Sequence, residues 1–261
     1  VPPVPPARVT PLELELWQER WVECARQLSQ WGLLAEFARG AEPPHPELMV
    51  EAAWKAHEWA DVRRHLELPS LVARQEGGSP RHKMYEIYVA IVDGQFGDVE
   101  KLCGQCIQLA LHRWAALPPL RAGDGAHRSL LQLFHRLIEV HESGQIMVDV
   151  AGHARARTYP DFKGIVQTWR DRLPNAWDAT AEWDDVLGWR AHVFATIRRE
   201  FAWGAQDEVS LLHDAPWTAC RLARVARKQR LRDVALGALA RLGGDAGGAM
   251  DVKDIYEKLR E

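Results

Sequence analysis

Three groups of residues in this 261-residue chain have types and spacings that could do chemistry. Cys103 and Cys106 stand in a Cys-x-x-Cys spacing, that of a redox dithiol or of half a tetrahedral zinc site. Their context, KLCGQCIQLAL, is an apolar helical run with no second Cys-x-x-Cys and no linked histidine pair, so the plainer reading is two small buried hydrophobes. Gly243 to Gly248, GGDAGG, is rich enough in glycine to cradle phosphate, yet it lacks the preceding strand and the lysine of a phosphate loop and reads as a linker. The third group is Arg221, Arg224, Arg227 and Lys228 at helical three-and-four spacing, extended through a turn by Arg230 and Arg232, with Asp233 beside them. Such a series is a solvated helix face with cations near the negative end of the dipole, an anion site for a polyphosphate or an acidic partner segment, or a source of salt bridges to neighbouring helices.

The remaining chemistry is sparse. There is no Walker-type loop, G-x-S-x-G elbow, H-E-x-x-H pair or kinase motif set, and the eleven histidines are scattered. No catalytic residue, metal ligand or cofactor-binding residue is assigned. A net charge of -3 and a pI near 6.4 lack the basic footprint of a nucleic-acid binder, and no stretch approaches the roughly 20 apolar residues of a membrane helix, so neither direct nucleic acid nor membrane is expected as a partner. Four cysteines with no framework spacing fit a reducing compartment.

The elements that must carry these residues are helices. Apolar residues recur at three-and-four spacing almost throughout, and strict alternation is nearly absent. A phrase recurs where one helix hands over to the next: Gln30-Trp31-Gly32-Leu33-Leu34, Glu58-Trp59-Ala60-Asp61-Val62, Gln95-Phe96-Gly97-Asp98-Val99 and Arg230-Leu231-Arg232-Asp233-Val234. The first three lie about one tetratricopeptide period apart, and the fourth about four periods on. The expected fold is therefore all-α, a tetratricopeptide- or HEAT-like helical-repeat solenoid of antiparallel helix pairs. VPPVPPARVTP at the head predicts a Pro-rich linker over residues 1–11 of a piece cut from a longer polypeptide, with one helical-repeat domain over 12–261. Gly152 to Pro160 reads as a basic loop, and Val252 to Leu259 as the start of a further helix. Trp17, Trp21, Trp31, Trp54 and Trp59 fall on apolar stripes or repeat turns and read as core; Trp203 and Trp217 lie near a polar loop and read as partner-facing.

Three stretches taken together resemble the FAT domain of the phosphatidylinositol-3-kinase-related kinases. The first is WQERWVECARQLSQWGLLAEFA, with Trp17, Trp21 and Trp31. The second is IVQTWRDRLP followed by WDDVLGWRAH, which places Trp169, Arg170, Arg172, Trp183, Trp189 and Arg190. The third is ARVARKQRLRDVALGAL. TWRDRLP, GWRAH and ARKQ look most like the transcription-associated branch of that family. The resemblance implies a solenoid curling around a C-terminal kinase-like domain that, in this branch, lacks catalytic residues. It implies a non-catalytic scaffold in nuclear histone acetyltransferase coactivator complexes, meeting its own kinase-like domain, neighbouring helical repeats, complex subunits and transcription activators. Some family members hold inositol hexakisphosphate on basic FAT helices, which makes the Arg221 to Arg232 series a candidate for that ligand. The rival readings are the same segment of a catalytically active family member and a free-standing tetratricopeptide-like adaptor for peptides. In TWRDRLP, Trp169 is expected to pack inward while Arg170 or Arg172 ties its helix to a neighbour.

Overall fold

The computed structural model describes residues 10–42, 44–69, 71, 78–119, 125–158, 163–201 and 214–244. Among these residues there are eleven long helices and no strand: α1 (Pro11–Gln27), α2 (Trp31–Gly40), α3 (Pro46–Lys55), α4 (Trp59–Leu66), α5 (Pro80–Val92), α6 (Phe96–Ala115), α7 (Gly125–Ala156), α8 (Lys163–Asp171), α9 (Thr180–Glu200), α10 (Asp214–Lys228) and α11 (Arg232–Gly244). Residues 1–9, Trp203 and the expected helix at Val252–Leu259 lie outside the described residues. The first helix starts earlier than its apolar stripe implies. Thr10 caps it in a reciprocal box, its hydroxyl accepting from the Glu13 amide while the Glu13 carboxylate accepts from the Thr10 amide at 2.7 Å, and Pro11 takes the first turn.

The recurring phrase is a helix stop and restart with one geometry. α1, α3, α5 and α10 each end on a left-handed residue: Ser29 (φ 54°), His57 (φ 59°), Gly94 (φ 72°) and Arg230 (φ 65°). The next amide reaches back to an alanine carbonyl five residues earlier: Gln30 to Ala25, Glu58 to Ala53, Gln95 to Ala90 and Leu231 to Ala226, all at 2.8–2.9 Å. This is the Schellman closure, which satisfies the orphan carbonyls of the last turn and aims the chain directly into the following helix. All four alanines are buried, so a small side chain at that position lets the second helix close onto the first.

Aligned on these alanines, the fourth copy slips by one residue from its sequence phrase. Leu231, not Arg230, matches Gln30, Glu58 and Gln95, and α11 starts at Arg232. The hydrophobic match of Leu231 to Trp31 and Phe96 gives one alignment, and the turn's hydrogen bonds dictate another. The expected basic loop at Gly152 also differs: α7 continues to Ala156 and stops at Arg157 (φ 53°), with the Thr158 amide closing on the His153 carbonyl. Open space surrounds the Gly152 α-carbon, and one glycine inside a 32-residue helix costs only about 1 kcal/mol. Gly144 has a different reason: a Cβ there would lie 2.9 Å from Val99, so its absence lets α7 settle against α6.

Successive helices pack in order from α1 to α7, as a solenoid requires, but α9 breaks the nearest-neighbour rule. It runs back past the earlier helices and touches six of them by a named side chain. The Thr180 hydroxyl donates to the Gln27 carbonyl of α1, Asp184 meets Lys55 of α3, His192 packs on Trp59 of α4, Trp189 on Tyr88 of α5, Arg190 reaches Glu139 of α7 and Phe194 meets Trp169 of α8. These contacts span about 20 Å of helix. Ten of its residues are buried over more than half of its circumference, a wider face than one neighbouring helix covers, while Ala195, Arg198 and Arg199 stay exposed. One side of α9 joins the main core with Trp189, Val193, Phe194 and Ile197; another, Trp183 and Leu187, joins a second core with α10 and α11. Each fully buried aliphatic or phenyl side chain there contributes about 1.5–3 kcal/mol.

The tryptophan assignments divide. Trp54, Trp169, Trp183 and Trp189 are buried, and Trp31 and Trp59 are partly buried against the core. Trp17 and Trp21, expected in the core, are 61% and 42% exposed. The core that α1 shares with α2 and α3 takes Val22 and Ala25, and the two rings lie at its edge. Trp21 meets Phe37 of α2 with tilted rings at 5.0 Å, whereas Trp17, one turn earlier, faces solvent.

Candidate functional site

The residues of TWRDRLP and GWRAH meet in one place. Trp169 is buried, and its indole N–H donates to Glu142 of α7 at 2.8 Å. Arg172 donates to both oxygens of the same carboxylate at 2.9 and 3.0 Å. Arg190 of α9, also fully buried, donates from Nε to Glu139 at 3.0 Å and from Nη2 to its other oxygen at 2.5 Å, and Nη2 also caps the Arg172 carbonyl at 2.6 Å. Its guanidinium stacks 5.6 Å above the Trp169 ring. The two carboxylates come from one face of α7, three residues apart, so a helical repeat holds a double fork that fixes α8 and α9 together. Ser143, the residue after Glu142, accepts from the Trp189 indole at 2.9 Å and donates its own hydrogen to the Glu139 carbonyl at 2.6 Å. His135 lies 3.7 Å from Glu139, and burial holds its imidazole below the usual histidine range. Arg170 takes no part in this clasp; it is exposed and stacks 5.5 Å from the Trp217 ring.

A second buried ionic centre lies further along α9. The Lys55 ammonium sits 2.8 Å from Asp184 and 2.5 Å from Asp185, with the rings of Trp54 and Trp31 at 4.6 and 5.0 Å. Burial disfavours the charge, but the two carboxylates outweigh it and raise the amine's pKa. Arg136 of α7 shares Asp185 from the other side. Burial likewise pushes up the phenols of Tyr85 and Tyr88, which border a cavity of about 20 Å³ with Trp54, Arg81 and Arg136. A further pair, Arg26 to Glu51 at 2.6 Å, ties α1 to α3. These arrangements hold helices; none sets a nucleophile beside a base or aims donors at an open position.

Cys103 and Cys106 are buried, and Cys106 donates to the Pro80 carbonyl at 3.3 Å. Burial lifts their thiols to about 11 and about 12, so neither offers a thiolate near neutrality. Among the described residues no three histidine, cysteine or carboxylate side chains group to hold a metal, and no helix is long and apolar enough to cross a membrane.

The basic series divides as well. Arg221 is half-buried and stacks 5.8 Å from the Trp183 ring, and Arg224 is half-buried with interactions of its own. Arg227, Lys228, Arg230 and Arg232 are exposed around the α10–α11 turn. The six cations therefore do not form one accessible face.

A family model for the FAT domain matches residues 46–260. The chain belongs to the FAT domain family. Its FAT relatives include the SAGA complex/NuA4 acetyltransferase complex subunit TRA1 of Saccharomyces cerevisiae, 32% identical over 95% of this chain and 7% of the relative. The transformation/transcription domain-associated proteins of Danio rerio and Homo sapiens are 28% and 27% identical, each over 95% of this chain and 7% of the relative. The chain thus spans less than a tenth of the length of these relatives. Within this FAT segment, sequence reasoning found Trp169, Arg172, Trp189 and Arg190, but missed their acceptors Glu139, Glu142 and Ser143 and the whole Lys55 centre. The one available signal was an adjacent Asp184-Asp185 pair between two tryptophans on a helix with too many apolar faces to leave both acids in water.

Proposed function

We propose that this chain is a scaffold segment, with no catalytic role of its own, of a large transcription-associated coactivator subunit whose kinase-like domain is a pseudokinase. The observation that carries this reading is the similarity over nearly the whole chain to a protein named as a SAGA and NuA4 acetyltransferase complex subunit and to transformation/transcription domain-associated proteins. The interior supports it: the buried charges are spent on joining helices, as a load-spreading element needs. On this reading the segment works in the nucleus, packs against its parent's own kinase-like domain and neighbouring repeats, and helps to seat acetyltransferase-complex subunits and transcription activators.

The test is precipitation of the full-length parent from nuclear extract with an antibody raised against this segment. Histone acetyltransferase activity should co-precipitate, and the washed parent should transfer no phosphate from ATP to protein. Phosphotransfer by the parent would replace this reading with an active kinase, and a parent absent from the nucleus and free of acetyltransferase would overturn it.

A further inference from the structure

Trp177 is 87% exposed, more than any other large apolar side chain among the described residues. It stands at the tip of the α8–α9 loop, which is held on every side except its own. The Asn175 amide donates to the Asp178 carboxylate at 2.8 Å, and the Asp178 amide donates back to the Asn175 carbonyl at 2.9 Å. That carbonyl also accepts from the Trp183 indole at 3.0 Å. The Gln229 side-chain amide then uses both hydrogens on the carbonyls that flank the tip, Ala176 at 3.0 Å and Asp178 at 2.8 Å. A rigid loop thus presents a large ring to water, and little ordering remains to be done when something covers it.

Gln229 also decides what lies beside the ring. It belongs to the α10–α11 turn, between Lys228 and Arg230, and its two bonds bring that turn against the loop. Lys228, Arg230 and Arg232 are exposed there. Tryptophan and arginine are the side chains most often responsible for binding energy at protein interfaces, and here they share one pre-formed corner.

We propose that Trp177, Lys228, Arg230 and Arg232 form a docking surface for an acidic polypeptide segment carrying an apolar or aromatic anchor. The cations steer and register the acidic residues, and the anchor covers the ring. Asp178 beside Trp177 and Asp233 beside Arg232 interrupt the positive field. An evenly charged polyphosphate backbone meets repulsion at both, whereas a peptide can place its carboxylates around them. The proposal stands independently of the larger protein in which the segment serves.

The test uses the whole chain and a fluorescent synthetic peptide in which aspartates alternate with phenylalanine and leucine, beside a control peptide with serine at the apolar positions. Trp177→Ala should weaken the apolar peptide at least about tenfold and leave the serine control unchanged. The triple variant Lys228→Glu, Arg230→Glu, Arg232→Glu should weaken both peptides and flatten the dependence on salt. Thermal melts should coincide for wild type and Trp177→Ala, because the ring touches little of the fold. Equal affinity of the apolar peptide for wild type and Trp177→Ala would overturn the proposal, as would no binding to wild type. Tighter binding of inositol hexakisphosphate or a single-stranded oligonucleotide, insensitive to Trp177→Ala, would make the corner an anion site and overturn it too.

Discussion

Removing either member of the Arg190–Glu139 pair should be costly, and removing both should cost less than removing the glutamate alone. Both side chains are almost fully enclosed, and the guanidinium makes three hydrogen bonds. In Glu139→Leu the guanidinium keeps its charge, because arginine does not deprotonate in proteins, and retains only the Arg172 carbonyl. That should cost about 4–5 kcal/mol at any pH between 5 and 8. In Arg190→Met the Glu139 carboxylate is stranded and the ring of Trp169 loses its cation. The loss should be about 3 kcal/mol. The double variant Glu139→Leu, Arg190→Met leaves no buried charge and should recover about 2 kcal/mol or more over Glu139→Leu alone. Urea titrations followed by tryptophan fluorescence, extrapolated to water, measure all three. Single losses below about 1 kcal/mol would mean that water reaches the pair as it reaches a surface salt bridge, and a double variant no more stable than Glu139→Leu would refute the pairing as the source of the loss.

Burial, with His57 and Arg199 nearby, holds the His192 imidazole down at about 4. The unfolded chain takes up this proton below about 6.5 and the folded one does not, so stability should fall by up to about 3 kcal/mol as pH drops from 6.5 to 4, and His192→Phe should remove that part of the slope in urea titrations. Trp169→Ala should cost about 3–5 kcal/mol, whereas Trp17→Ser should change the unfolding free energy by less than about 0.5 kcal/mol; comparable losses would place Trp17 in a core that the structure denies it. Cys24 is exposed while Cys103, Cys106 and Cys220 are buried, so a thiol reagent should modify one cysteine in the native chain and four in denaturant.

The helices were legible because a 3.6-residue rhythm and the stop-and-restart phrase are local properties. Trp31, Trp59 and Phe96 mark second helices of pairs, and each begins where its phrase places it. What one helix owes to a distant one was not legible. Trp17 and Trp21 carry the same apolar signal as Trp54, and only the placement of α2 and α3, whose core with α1 centres on Val22 and Ala25, leaves both rings largely in solvent. Glu139 and Glu142 read as ordinary polar positions of a long helix, since the arginines that claim them lie 51 and 30 residues away. The basic series was legible as a run of cations, but that Arg221 and Arg224 are half-buried, Arg221 beside the ring of Trp183, while the other four are exposed depends on neighbouring helices.

The return of α9 through the array has a consequence for how the chain comes into being. Synthesis runs from the N-terminus, so Lys55 emerges 129 residues before Asp184. At about 5–20 residues per second the ammonium waits roughly 6–26 s for its carboxylates. During that interval the half-built array cannot bury Lys55, Arg136 or Glu139 without stranding a charge, and its apolar grooves stay open where α9 will lie. The early helix pairs can therefore form but cannot close, and the chain completes its interior only when the segment from Thr180 to Phe201 has left the ribosome. A stall or truncation anywhere before that point releases a product with its sticky seams uncovered, the kind of species that quality-control machinery recognises.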